Sequence, residues 1–228
     1  MTIDYAFLFA GVALLWVPRR WLRRGLGLLR QRRRSAGVEA ITDPWKDREP
    51  GRPKVNFRAE FTNLRNYVDF LRALAGALAI WGGLEIAPAI AAEAEAPKSV
   101  LRQVLMLQGA VVLIGLLIQT VRLEKKRVSF FPPIFFLAGL SVALTDYRAA
   151  AFAFLFVWIV NVALGNAQGF LTAYAVLVVV FGGLFGKFTS VPVILAGWLT
   201  FLPVLLSLLA NRPLVVYTHR GSRAPKPT

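Results

Sequence analysis

Apolar residues of this chain gather in long runs that short polar stretches separate, instead of alternating singly with polar residues. A helix that crosses a hydrocarbon core of ~30 Å needs about 20 predominantly apolar residues, and the runs come close to that length. The pattern therefore predicts an all-α fold, a polytopic integral membrane bundle of about seven transmembrane helices. The predicted spans are residues 3–17, 71–91, 100–121, 130–145, 149–164, 170–185 and 191–210.

The fourth and fifth spans, residues 130–145 and 149–164, are short for a full crossing. They fit either two separate crossings or a re-entrant hairpin that enters and leaves by the same membrane face. Two crossings and a hairpin both return the chain to the side of the membrane from which it started. Every other segment therefore keeps its side in both cases.

The overall composition agrees with this pattern. Apolar residues make up 57% of the 228 residues, whereas soluble globular domains lie nearer about 45–50%. The mean hydropathy is +0.57. We therefore expect an integral membrane protein, and we assign it to the inner (cytoplasmic) membrane of a bacterium.

Basic residues decide the predicted orientation. Residues 18–34 hold eight arginines directly after the first span, and such a block stays on the cytoplasmic side because it is hard to translocate. With the N-terminus outside and the C-terminus inside, 23 of the 27 Lys and Arg residues fall on the inside. The net charge of +15 is thereby explained by topology and by contact with anionic lipid, and we expect no nucleic-acid partner.

The arginine block itself has an amphipathic pattern. Leucines share one face of a helix over residues 19–34 and arginines share another, which is typical of a basic helix lying along the membrane surface. The alternative is a stop-transfer flank without fixed structure, because Gly25 and Gly27 weaken a helix there. The residues expected to contact lipid headgroups are Arg19, Arg20, Arg23, Arg24, Arg30 and Arg34.

A second helical pattern begins at Val55. Phe57, Phe61 and Leu64 recur at helical spacing and form one apolar stripe, and we expect this helix to run without a break into the second span. The chain offers little to cover the stripe, so we interpret these three residues as a contact surface for partner subunits. Asp69 lies on the same helix, three or four positions from Arg65 and Arg72, so local ion pairs account for its charge.

The domain organisation follows from these segments. The first transmembrane anchor takes residues 1–17 and the membrane bundle of six further spans takes residues 66–210. Between them, residues 18–65 form a cytoplasmic region of basic helix, Pro-rich linker and helical extension. Residues 211–228 form a basic cytoplasmic tail.

Residue types that commonly carry chemistry are scarce. The chain has no cysteine and one histidine, His219, so we expect no cofactor and no metal site. Asp43, Asp47 and Glu49 could chelate Mg²⁺ in an enzyme acting on lipid-linked phosphates. We interpret them instead as part of a solvated mixed-charge loop, and we predict that the protein is not an enzyme.

Two functions remain in view. The leading hypothesis is a non-catalytic integral membrane subunit or scaffold that contacts anionic lipids and other membrane protein subunits. The alternative is a channel or transporter for a small solute, with a polar path through Glu85, Asn161, Asn166 and Gln168. Glu85 fits either the outer edge of the membrane or an intramembrane polar site, and the amides fit either a solute path or ordinary hydrogen bonds between helices.

Overall fold

The computed structural model of the protein describes residues 2–18, 55–85, 98–124, 127–186, 190–212 and 214–215, and most of these residues are helical. Seven helices of 11 to 23 residues and one of five residues were found in these ranges. The prediction of a mainly helical protein is confirmed. The helices are α1 (Tyr5–Trp16), α2 (Phe57–Phe61), α3 (Leu64–Gly83), α4 (Lys98–Thr120), α5 (Ile134–Leu144), α6 (Tyr147–Val160), α7 (Ala167–Phe185) and α8 (Val191–Leu209).

Three helical stretches are long and apolar enough to cross a membrane, judged by length and composition. They are Arg102–Thr120 within α4, and the whole of α7 and α8. The helices α1, α5 and α6 are apolar but shorter, while α3 has the length but carries three charged residues. These findings support a membrane protein.

The helix that includes the second predicted span is interrupted, and the prediction of an unbroken helix from Val55 to residue 91 is wrong. It breaks between α2 and α3, because the side-chain oxygen of Asn63 accepts a hydrogen bond from Arg65 N (3.2 Å). Asparagine is a favoured N-cap residue for this reason, and α3 starts at Leu64. It ends at Gly83, where residues 84 and 85 become extended.

Two short antiparallel sheets correct the prediction of a purely α-helical fold. Strand β1 (Thr2–Ile3) pairs with β2 (Leu84–Glu85), and β3 (Val121–Glu124) pairs with β4 (Arg127–Phe130). The β3–β4 hairpin replaces the predicted basic loop after the third span. Its outer edge binds the start of the tail, since Val215 N donates to Phe130 O at 2.9 Å.

Close contacts between helix backbones hold the bundle together. A Cβ atom at Gly139 of α5 would lie 2.3 Å from the carbonyl oxygen of Phe70 on α3. A Cβ atom at Gly11 of α1 would lie 2.9 Å from the carbonyl oxygen of Gly76. Small residues allow such approach in lipid, as the composition of the second span predicted. Almost every residue of α5 is buried, so α5 is the central helix of the bundle.

Several chain segments meet at one end of the bundle, which we call the arm end because the basic residues 19–34 follow α1 there. Val17 accepts hydrogen bonds from α3 and α4, and Phe131 N donates to Thr120 O at 2.9 Å. Asn161, after α6, donates to the carbonyl oxygen of Val55 at 2.9 Å. The opposite end holds the β1–β2 pair.

Some predictions concern residues outside the described ranges. These are the surface helix and its lipid-contacting arginines (residues 19–34), the Pro-rich linker with its three carboxylates, the external turn over residues 92–97, and most of the basic tail with His219.

Candidate functional site

A buried polar cluster lies at the arm end, where α1 stops against α3 and α4. Arg72 Nη1 donates to the carbonyl oxygen of Val17 at 2.6 Å. Gln119 Nε2 donates to the same oxygen at 3.1 Å and to Leu15 O at 3.2 Å. Arg72 Nη2 also lies 3.4 Å from Asp69 Oδ1. We call these residues the Arg72 junction.

The Arg72 junction satisfies a general requirement of helix ends. The last carbonyl groups of a helix have no partner within the helix, and they carry the negative end of its dipole. A guanidinium and an amide supply donors to the end of α1, and the guanidinium also supplies positive charge. The predicted ion pair of Asp69 with Arg72 is confirmed, whereas Arg65 is exposed and forms no ion pair within the described residues.

A small cavity of about 40 Å³ adjoins the Arg72 junction. Glu60, Asn66, Asp69 and Arg122 contribute polar groups to its wall, and Asn66 Nδ2 donates to the Glu60 carboxylate. This volume is close to the ~30 Å³ that one water molecule occupies in the liquid. Among the described residues, no group of three or more His, Cys, Asp or Glu side chains converges as metal ligands would. The contacts of the Arg72 junction connect α1, α3 and α4, and they are those of a structural site.

The predicted partner-contact residues divide into two groups. The Phe61 ring is half-buried, with centroids 5.3 Å from those of Phe135 and Trp158. Phe57 stacks on Phe61 at 4.3 Å yet remains 54% exposed, and Leu64 is 77% exposed. The expectation that the chain offers little to cover this stripe is wrong for Phe61, because α5 and α6 supply an aromatic pocket for it. Leu64, by contrast, is left largely uncovered by the rest of the described chain.

Exposure continues along one face of α3 beyond Leu64. Val68, Leu71 and Leu78 are exposed at spacings of three to seven residues, which place them on the same helix face. We call Phe57, Leu64, Val68, Leu71 and Leu78 the α3 stripe. It starts at the arm end and follows α3 towards the opposite end.

The residues predicted to line a polar path do not form one cluster. Asn161 donates to Val55 O, and the side-chain oxygen of Asn166 accepts from Gly169 N at 2.6 Å as the cap of α7. Gln168 Nε2 donates to Ser207 Oγ at 2.8 Å. Each amide therefore has a partner that is local or on the adjacent helix, the pattern expected of hydrogen bonds that join helices.

Glu85 lies far from these amides. Its backbone pairs with Thr2 in the sheet at the end opposite the arm end. Asn161 is at the arm end, and the 20 residues of α3 that separate the two ends span ~30 Å at a rise of ~1.5 Å per residue. Glu85 thus follows the last turn of α3 instead of lying within it.

Two further polar residues of the predicted cluster, Thr172 and Tyr174, are also hydrogen-bonded. Tyr174 Oη and Ser141 Oγ, both buried, lie 2.7 Å apart and join α7 to α5. Thr172 Oγ1 donates back to Gln168 O at 2.9 Å. Neither pair opens onto a described cavity.

Gln119 was not among the site residues predicted from the sequence, although it belongs to the Arg72 junction. One signal was present, since Gln119 and Thr120 are polar residues at the end of an apolar run, where buried polar groups need partners. The partner carbonyl groups of Leu15 and Val17 are more than 100 positions away, and the spacing pattern does not identify them. No family model, curated protein or solved structure matches this chain.

Proposed function

We propose that the protein is a seven-span integral membrane protein of a bacterial cytoplasmic membrane, with its N-terminus outside and its C-terminus inside. In this proposal it acts as a non-catalytic subunit or scaffold of a larger membrane assembly. The basic residues 19–34 contact anionic lipid, and the α3 stripe contacts a partner subunit.

The clustering of segments at the arm end supports placing them on one side of the membrane, and the basic residues are what assign that side to the inside. The start of the basic arm, Val55 after the linker, the β3–β4 hairpin, the turn after α6 and the start of the tail all lie at that end. These are the segments that the distribution of basic residues assigns to the inside. The distribution of charge and the contacts between segments therefore group the same segments together.

Helix lengths bear on how α5 and α6 sit in the membrane. The 11 residues of α5 and the 14 of α6 span only ~16 and ~21 Å, against a hydrocarbon core of ~30 Å. Extended residues before α5 lengthen that crossing. Two crossings through a locally thinned bilayer fit the proposal, and a re-entrant hairpin leaves the sidedness of the other segments unchanged.

The α3 stripe carries the proposal of a subunit role. Lipid can cover the part of the stripe that lies within the hydrocarbon, but Phe57 and Leu64 lie where the arm and linker place the cytoplasm. Exposed apolar side chains grouped on one surface, outside lipid, mark contact sites for other proteins. The buried ionisable residues Asp69 and Arg72 are used in joining helices, so they do not call for a catalytic role.

A pull-down experiment tests this role. We expect that Phe57→Ser with Leu64→Ser lowers recovery of co-purifying subunits in mild detergent, because both side chains are mostly exposed and contribute little to packing within the bundle. Val162→Ser is the matched control, since Val162 is 86% exposed near the same end, just after α6. Equal recovery of partners with the double variant and the control would remove the basis for the subunit proposal.

The alternative of a solute path has no observation of its own in its favour. Its four residues lie at two ends of the bundle, and its amides are already hydrogen-bonded.

A further inference from the structure

An apolar groove runs between α4 and α8, far from the Arg72 junction. Its volume is about 690 Å³, within the roughly 300–1,000 Å³ typical of sites for small molecules. Trp198, on its wall, is 61% exposed, so the groove opens to the surroundings of the bundle. Residues that face each other across it are Leu105, Gly109 and Leu113 on α4 and Leu195, Trp198 and Leu202 on α8.

The two helices are not in close backbone contact at Gly109. A Cβ atom at this position would meet only the terminal methyl groups of Leu195, at 3.7 and 3.9 Å. At the closest helix contacts of this bundle, such as Gly139 with Phe70, the same test gives distances below 3 Å. The space beside Gly109 can therefore accept additional atoms without displacing the backbone.

One charged residue, Arg102, lines the groove. It is exposed, and it makes no hydrogen bond or ion pair with another of the described residues. An arginine close to the end of a membrane helix extends its guanidinium towards the headgroup region. A guanidinium binds a phosphate group with two parallel hydrogen bonds, which makes phosphate the complementary ligand.

The length of the groove matches one leaflet of a bilayer. From Arg102 to Leu113 the helix rises ~16 Å, about half of the ~30 Å hydrocarbon core. A partner helix would follow α4 across both leaflets, whereas an acyl chain anchored at the headgroup ends near the midplane. We infer that this groove binds one anionic phospholipid, with its phosphate on Arg102 and an acyl chain along Gly109 and Trp198.

This site differs from the lipid contacts proposed for the basic arm. Arg102 precedes Thr120, at the arm end, by 18 positions along α4, which is ~27 Å. The inference depends on α4 and α8 lying in the membrane, and it does not depend on the subunit role.

Photolabelling of the purified full-length protein in lipid nanodiscs tests the site. The probes are phosphatidylglycerol and phosphatidylcholine, each with a diazirine on one acyl chain, and labelled peptides are mapped by mass spectrometry. Because the readout is the position of the label, lipid bound to the arginines of residues 19–34 does not contribute. We expect phosphatidylglycerol to label α4 and α8 around the groove more than phosphatidylcholine. Both lipids carry a phosphate, but the choline ammonium of phosphatidylcholine makes it neutral overall and opposes the positive charge of Arg102.

Four variants separate the contributions of charge and shape. Arg102→Gln is expected to reduce phosphatidylglycerol labelling to the phosphatidylcholine level. Gly109→Leu, which places a bulky side chain in the groove, is expected to reduce labelling by both lipids. Arg148→Gln and Gly82→Leu are the controls, because Arg148 is another exposed arginine and a Cβ atom at Gly82 meets nothing within 4 Å.

The site is wrong if Arg102→Gln leaves the phosphatidylglycerol preference intact. It is equally wrong if wild-type label spreads evenly over other lipid-facing positions such as Val176 and Val180, or if the groove takes no label because another copy of the chain or a different protein covers it. Retention of the label in the two controls, with loss in the two groove variants, supports it.

Discussion

Arg72 and Val17 are 55 positions apart in sequence, and a hydrogen bond of 2.6 Å joins the guanidinium of one to the carbonyl oxygen of the other. Val17 is the C-cap of α1, and the basic arm begins two residues later. This bond therefore fixes the C-terminal end of α1, which precedes the basic arm, to α3. Because Gln119 donates to the same oxygen, α1, α3 and α4 meet at one atom.

The first prediction concerns this junction. Arg72→Met is expected to lower the free energy of unfolding by about 3 kcal/mol, because the buried Asp69 carboxylate loses its cation and α1 loses a C-terminal donor. Thermal unfolding in detergent, followed by size-exclusion chromatography after heating, measures the loss. Arg65→Met, on the same helix but exposed, should change stability by less than about 0.5 kcal/mol.

A double variant distinguishes loss of the charge pair from loss of packing. Adding Asp69→Asn to Arg72→Met should recover part of the stability, because the carboxylate that paired with Arg72 is then removed as well. No recovery would mean that the ion pair contributes little and that Arg72 acts through its hydrogen bond to Val17 alone.

The second prediction concerns the contact of α5 with α3. Gly139→Val is expected to destabilise the bundle by about 3 kcal/mol or prevent its folding, because a side chain there collides with the backbone of α3. The same purification and heating assay reports this change. Gly82→Val adds the same atoms where no neighbour lies within 4 Å, and a comparable loss there would show that helix propensity, not the contact, is responsible.

The third prediction compares the stability cost of truncating Phe61 with that of truncating Phe57. Phe61→Ala is expected to cost about 3 kcal/mol, since the ring packs against Phe135, Phe154 and Trp158. Phe57→Ala should cost about 1 kcal/mol, because more than half of that side chain is exposed. Equal costs in the heating assay would contradict the division of the stripe into a packed residue and an exposed one. For this reason the partner test uses Phe57 and Leu64.

The fourth prediction concerns the turn between α5 and α6. The protein has no native cysteine, so a single introduced cysteine reports its own position. Tyr147→Cys is expected to react with a membrane-impermeant maleimide added outside intact cells, because Tyr147 is exposed at a turn that the seven-span topology places outside. Protection of Tyr147→Cys from the reagent on both sides of the membrane would instead establish the re-entrant hairpin.

The sequence predicted the helices well, and it predicted the contacts between them poorly. Most helix bounds followed from apolar runs because a membrane helix satisfies its own backbone hydrogen bonds and must be apolar along its length, but the second predicted span, residues 71–91, was found as α3 (Leu64–Gly83). The stripe of Phe57, Phe61 and Leu64 was predicted on one face of one helix, whereas Phe57 and Phe61 lie on α2 and Leu64 lies on α3. Periodicity does not indicate what that face meets, however, and Phe61 proved to be covered by the same chain.

The features that were missed depend on tertiary partners or on weak local signals. The break at Asn63 was readable as a cap, but the apolar period continues across it. The β3–β4 hairpin lacks the glycine or asparagine that marks a tight turn, and its two lysines read as a loop. The pairing of Gln119 with the end of α1 depends on how three helices pack, which spacing along the chain does not specify.

The proposed function depends on which side of the membrane each end of the bundle faces, and two single-cysteine variants report on this. Gly165→Cys lies in the turn between α6 and α7, where a Cβ atom meets no neighbour within 4 Å, and Ser99→Cys lies at the start of α4. We expect the impermeant maleimide to label Ser99→Cys in intact bacterial cells and to label Gly165→Cys only after the membrane is permeabilised. Labelling of Gly165→Cys in intact cells, with Ser99→Cys protected until permeabilisation, would contradict the proposed orientation.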